Sequence, residues 1–155
     1  MSDEIQVRAS LQIRAGQLIF QSNPTGFNAD MATAVPNGPT PGSLSVPLAG
    51  INVDLSQLTT PGMCFLYNVG TGDTDTDDLG NSFVEYGMFD PTTAVHEFIP
   101  LGEILPGEGY VLRLSRFLGH EMGTTAGTGT TGQNSVLRLK AVGAVQHCQV
   151  FVFER

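Results

Sequence analysis

Polar and apolar residues alternate through IQVRASLQIR, residues 5–14. Ile5, Val7, Ala9, Leu11 and Ile13 fall on one side, and Gln6, Arg8, Ser10, Gln12 and Arg14 on the other. A repeat of two is that of an extended chain whose successive side chains point to opposite faces, so the stretch reads as a half-buried strand. Similar runs follow at 17–22, 43–48, 51–56, 63–69, 82–87, 95–101, 109–115, 135–142 and 148–154. The gaps hold turn chemistry: NPTG, PNGPTPG, PLAG, TPG, DPTT and LPGEG. Pro106-Gly107 in the last of these predicts a tight turn, since proline presets φ at the first central position and glycine accepts positive φ at the next.

Helical periodicity is nearly absent. With 19 glycines and 9 prolines, few windows could hold three uninterrupted turns. Residues 53–58 (VDLSQL) and 116–122 (RFLGHEM) predict single turns at most. About nine or ten short strands without crossover helices describe an all-β fold, an antiparallel β-sandwich or jelly roll with long Gly/Pro-rich loops. At 155 residues one β-sandwich domain spanning 1–155 is expected, with 1–14 as a strand or arm and 23–42 as an extended connection. Residues 23–42, 70–81 and 123–134 lack the large side chains needed to pack a core.

Charge changes the picture next. Charged residues are only 14% of the chain, against about 25% in ordinary soluble domains. The surface is therefore rich in Thr, Ser, Gly, Asn and Gln, which enter contacts at little desolvation cost. Net charge is −8, and seven scattered basic residues make no footprint for nucleic acid. No apolar run approaches a membrane span, and MSDEIQVR has an acidic start without a signal-peptide core, so cytoplasmic synthesis is expected.

Candidate chemistry is thin. Counting from Asp73, the acids Asp73, Asp75 and Asp77 occupy the first, third and fifth positions of a helix-flanked calcium loop. Asp78, however, stands where glycine is needed, Val84 fills the twelfth position with Glu85 one place late, and no helix flanks the loop. A solvated acidic turn is expected, the alternative being a loose site that collects calcium from millimolar supply. His96-Glu97 and His120-Glu121 lack a second histidine at zinc spacing, and His147 is the remaining imidazole. Cys64 and Cys148 sit in apolar strand-like runs; they could pair if those strands face each other, although intracellular synthesis favours free buried thiols. Glu85, Glu97, Glu103 and Glu108 could be paired carboxylates by residue type alone, and read as outward strand or turn residues. There is no nucleophile elbow and no phosphate-binding loop. The expectation is a protein without catalytic, cofactor or metal residues.

VDLSQLTTPGMCFLYNVG, NSFVEYG, EFIPLGEILPGEGYVLRLS and VLRLKAVGAVQHCQVFVFE together span about residues 53–154. Their order is a Thr-Pro-Gly turn, a strand ending in Asn, an FVEYG strand, an F-x-P-L-G-x-I-x-P-G-E hairpin and paired final strands. This grammar resembles a recurrent type of small structural protein of tailed bacteriophages. The resemblance implies a non-enzymatic virion component assembled in the host cytoplasm, most simply a capsid decoration or cement protein bound to the major capsid protein. It also implies a symmetric homo-oligomer such as a trimer. In that setting 109–115, 135–142 and 148–154 are expected to form the rigid core, while 1–14 and 23–42 bridge neighbouring subunits. Two alternatives stand beside it. One is a tail, neck or fibre component, and the other is a carbohydrate-binding β-sandwich in which Tyr67, Tyr86 or Tyr110 stacks on sugar and the acidic loop holds calcium.

Overall fold

The computed structural model describes residues 5–10, 12–15, 18–22, 25–29, 39–58, 61–71, 82–89, 98–114 and 136–154. The described chain is all-β, with twelve strands and no helix. It divides into two compact units, Met1–Pro36 and Asn37–Arg155.

The first unit holds two two-stranded antiparallel sheets. Strand β1 (Ile5–Ala9) pairs antiparallel with β4 (Thr25–Ala29), and β2 (Gln12–Ala15) pairs with β3 (Leu18–Gln21). The two ladders follow one another, Ile5 opposite Ala29 at one end and Ala15 opposite Leu18 at the other. The alternation over 5–14 is thus split into two strands around Ser10-Leu11, and a strand lies at 25–29 inside the expected connection 23–42. Gln6, Arg8, Gln12 and Arg14 are exposed and Val7 is half-buried, the division that the alternation predicts.

The second unit is a β-sandwich. One sheet has the order β10 (Gly109–Arg113), β7 (Pro61–Gly70), β12 (Gln146–Glu154), β5 (Thr40–Val46). The other runs β6 (Ile51–Asn52), β11 (Val136–Val142), β8 (Phe83–Phe89), β9 (Phe98–Ile104). All pairings are antiparallel. Every connection between successive strands crosses from one sheet to the other except β8 to β9. The inward residues of the two sheets share one apolar core: Val46, Cys64, Leu66, Cys148, Val150 and Val152 face Val84, Ile104, Leu137, Leu139 and Ala141. Val53, Leu55 and Leu58, on the stretch leading from β6 toward β7, close it. That stretch makes the single turn expected at 53–58, with Leu58 N–H donating to the Leu55 carbonyl and Ser56 N–H to Asp54.

Two sequence expectations change here. Pro61 and Gly62 belong to β7, so the TPG motif opens a strand. Strand β10, expected in the rigid core, is an edge strand whose residues are exposed apart from half-buried Leu112. Strands β7, β8, β11 and β12, each with a hydrogen-bonded neighbour on both sides, supply most of the core, joined by Val46 of edge strand β5 and Ile104 of edge strand β9.

The Pro106-Gly107 turn forms as predicted. Glu108 N–H donates to the Leu105 carbonyl, and Gly107 takes φ +84°, which a side chain would strain. The Glu108 carboxylate accepts from Leu105 N–H, tying the turn's two ends together. On the opposite sheet, Arg138 holds the 47–52 loop. Its guanidinium donates to Asn52 Oδ1 at 2.6 Å and to the Ala49 carbonyl at 2.8 Å, and lies 4.2 Å from the centre of the Phe89 ring. Arg138→Ala should cost about 1–2 kcal/mol in a urea unfolding titration, because it removes two charge-assisted hydrogen bonds on a partly exposed side chain. Arg138→Lys should recover little of this, since an ammonium cannot span both acceptors with a planar fork.

Candidate interaction surface

A strand places alternate residues on opposite faces, so the core assignment fixes which side chains point outward. On the sheet of β10, β7, β12 and β5 these include Phe65, Tyr67 and Val69 on β7, Phe151 and Phe153 on β12, and Val111 on β10. The registers align them in rows. Pro41, Phe151, Phe65 and Val111 stand side by side across all four strands, followed by Ser43, Gln149, Tyr67 and Gly109. Phe65 lies parallel to Tyr67, with centroids 6.4 Å apart and planes at 5°, and to Phe151 at 6.3 Å and 8°. Among the described residues of these four strands, the only outward side chains with a basic group are Arg113 and His147, and none carries a carboxylate. Val69 and Val111 are each 49% exposed.

The outward face of the other sheet is different. Lys140 and Glu85 form a cross-strand pair at 3.9 Å, Glu103 stands opposite Glu85, and Arg138 is engaged with the 47–52 loop. Bringing a partner onto that face would strip water from full charges, whereas the aromatic face offers apolar area worth about 25 cal/mol per Å² with almost no charge to desolvate. An aromatic strip on the outer face of a sheet whose inner face already packs a core is a candidate docking surface.

The sequence candidates distribute as follows. Asp73, Asp75, Asp77, Asp78, Glu97, Glu121, His96 and His120 lie outside the described residues. His147 is exposed on the outward face. Glu85 is in its pair with Lys140, Glu103 is exposed, and Glu108 is engaged in its turn. Glu85 and Glu103 are neighbours in register, the one pair of candidate carboxylates that the described strands bring together. Of the tyrosines, Tyr67 belongs to the aromatic row, while Tyr86 packs against the core and meets Tyr110 at 6.2 Å at the sandwich margin. Desolvation, then the nearby Glu108, Tyr86 and Glu103, push the Tyr110 hydroxyl above its ordinary range. Among the described residues no three His, Cys, Asp or Glu side chains gather as a metal site.

Cys64 and Cys148 are both buried and free. They face the same core from adjacent strands, but Cys64 stands opposite Val152 and Cys148 opposite Asn68. Four residues of strand, about 13 Å, separate the two positions, beyond the reach of a disulfide. Burial pushes each thiol up to about 12 from 9.0. Both should resist a thiol reagent at pH 8 in the folded protein and react together once it is unfolded. Because the folded thiols stay protonated where unfolded ones ionise, stability should fall as pH rises from about 9 toward 12. Urea midpoints at pH 8 and pH 10.5 measure this, and the drop should shrink in the double variant Cys64→Ala, Cys148→Ala.

The aromatic rows were not singled out from the sequence. Their signal was available in FLYNV and FVFE, where aromatic residues occupy the positions between core residues, those that a solvated sheet face would fill with polar side chains. Comparison with known proteins matched the chain to no family model, no curated protein and no solved structure.

Proposed function

We propose that this chain is a non-enzymatic structural protein of a virion, a capsid decoration protein of a tailed bacteriophage that works by adhering to neighbouring shell subunits and to copies of itself. The observation that carries the adhesive part is the charge-poor aromatic face on a sandwich that already possesses a complete core. The virion part rests on the turn-and-strand resemblance over residues 53–154. An acidic chain of net charge −8 also suits the outside of a particle better than a lumen filled with DNA, where two polyanions would repel. Many weak contacts on a repeating shell then add through avidity, each attached copy raising the effective concentration for the next.

The test is addition of the purified chain to phage shells that lack it, followed by cosedimentation and image reconstruction. Saturable binding of hundreds of copies on the shell supports the reading. Six to a few dozen copies at the neck, tail or fibre would transfer the protein to that part of the particle, and no binding to any virion structure would overturn the virion assignment. Tyr67→Ser with Val69→Ser should lower occupancy at least tenfold with a small change in melting temperature, since both side chains lie outside the core. Deleting residues 1–14 tests the bridging role of the N-terminal segment: lower occupancy on a domain that still folds is expected, and unchanged occupancy would remove that role.

A further inference from the structure

Of the four sheet edges in the sandwich, three are blunted. Strand β5 carries Pro41, β6 is two residues long, and β9 carries Pro100 beside a register shift that leaves Leu101 unpaired. Proline, shortness and bulges are the devices by which folded proteins keep edge strands from pairing with other chains. Strand β10 has none of them. It is a five-residue strand without proline, Tyr110 and Val111 are 40% and 49% exposed, and among the described residues no strand pairs with its outer side.

The hydrogen-bond phase of that edge follows from two bonds. Asn68 N–H donates to the Glu108 carbonyl, and Leu114 N–H donates to the Gly62 carbonyl. Even-numbered residues of β10 therefore bond to β7. In an antiparallel ladder the residues between them, Gly109, Val111 and Arg113, direct their N–H and C=O groups to the open side. Of these, Gly109 has no side chain and Arg113 has the longest, with Val111 midway between them.

We propose that β10 is a two-fold self-association edge: it pairs antiparallel with β10 of a second copy about Val111, joining two four-stranded sheets into one of eight. In this register Val111 faces Val111 and Gly109 faces Arg113, so all three outward residues on each strand find outward partners and each facing pair exchanges two hydrogen bonds. Gly109, which has no side chain, then lies opposite the other copy's Arg113 on the outward face, so this register seats the longest outward side chain of the strand against the smallest residue, a fit that a parallel or slipped pairing loses. Pairing closes at two because the far edge, β5, carries Pro41. The row Phe151, Phe65, Val111 continues into its symmetry mate, doubling the aromatic face. This deepens the adhesive reading above and rests on it only for the use made of the doubled face. It favours two copies over three.

The experiment is sedimentation equilibrium on the full chain and on three variants. Wild type should weigh twice the 16.5 kDa of one chain. Val111→Pro should weigh one chain with unchanged β-sheet circular dichroism, because it deletes only an outward N–H from an edge strand. Val111→Thr, which keeps that N–H, should remain dimeric. Val111→Lys, which sets two ammonium groups side by side across the two-fold axis, should raise the dimer dissociation constant at least tenfold, and it decides the matter if Val111→Pro fails to fold. A monomeric or trimeric wild type, or a dimer unaffected by both Val111→Pro and Val111→Lys, overturns the proposal. A monomer that still coats phage shells overturns the pairing alone, and a β10 dimer that binds no virion structure overturns the virion assignment alone.

Discussion

Gly87→Ala should cost about 3 kcal/mol or more, lowering the urea midpoint by roughly 1–2 M. The reason is backbone geometry. Strand β8 meets β9 with a register shift: Tyr86 is opposite Gly102 and Gly87 is opposite Pro100, so Leu101 has no partner. The shift draws the two backbones together at Gly87, where an added Cβ would collide with the Ile99 carbonyl oxygen and lie 2.9 Å from the Phe98 ring. A carbonyl held in a ladder cannot swing aside as a flexible side chain would, so β9 must separate from β8 or lose the bulge. If β9 separates, Ile104, which β9 delivers to the core at 1% exposure, leaves with it. A midpoint within experimental error of wild type would show that the close approach at Gly87 is not a real constraint.

Asn68→Leu should cost about 2–4 kcal/mol, since leucine has the same number and branching of side-chain heavy atoms but cannot make either of the side chain's hydrogen bonds. Asn68 is fully buried on the inner face of β7. Its Nδ2 donates to the Ile104 carbonyl at 3.0 Å and its Oδ1 accepts from Gly70 N–H at 2.9 Å. Its backbone carbonyl accepts from Gly107 N–H at 2.8 Å, and its N–H donates to Glu108. One residue thus fastens the 105–108 turn and the ends of β7 and β9. Leucine would strand a carbonyl and an N–H away from water, where each unsatisfied group costs about 1–3 kcal/mol. Asn68→Asp separates the two roles. It keeps the acceptor for Gly70 but cannot donate to Ile104 unless protonated, so its deficit relative to wild type should be larger at pH 7 than at pH 4. Equal deficits at both pH values would mean that the bond to Ile104 carries no weight.

Much of the sandwich was legible in advance because its strands obey a two-residue period tied to burial. VLRLKAV places Leu137, Leu139 and Ala141 in the core and Arg138 and Lys140 outside, as alternation requires. The Pro106-Gly107 turn was legible because both residues restrict or permit φ locally. Two readings failed where the deciding force was not local. TPG looked like a turn, yet Pro61 and Gly62 extend β7, paired to β12 and followed by core-facing Cys64. YVLRLS alternates like a core strand, and Leu112 and Leu114 do pack against the core, yet β10 received an edge with one hydrogen-bonded neighbour, and the rest of the strand stays exposed. The strand at 25–29 was missed because TGFNA holds only one large apolar residue, Phe27, between a glycine and an asparagine that read as turn residues; it pairs with Ile5–Ala9.

By itself the sequence determined the fold class, the inward residues of most strands and the poverty of charge, since each depends on residue type and its spacing along the chain. Tertiary structure alone decided which strands became neighbours and which became edges. It thereby set the four residues of strand that keep Cys64 from Cys148, the alignment of Phe151, Phe65 and Val111 into one row, and the exposure of β10. Such lateral relations are absent from a one-dimensional pattern, because the order of strands in a sheet is chosen by how whole faces pack and not by the residues within any single strand.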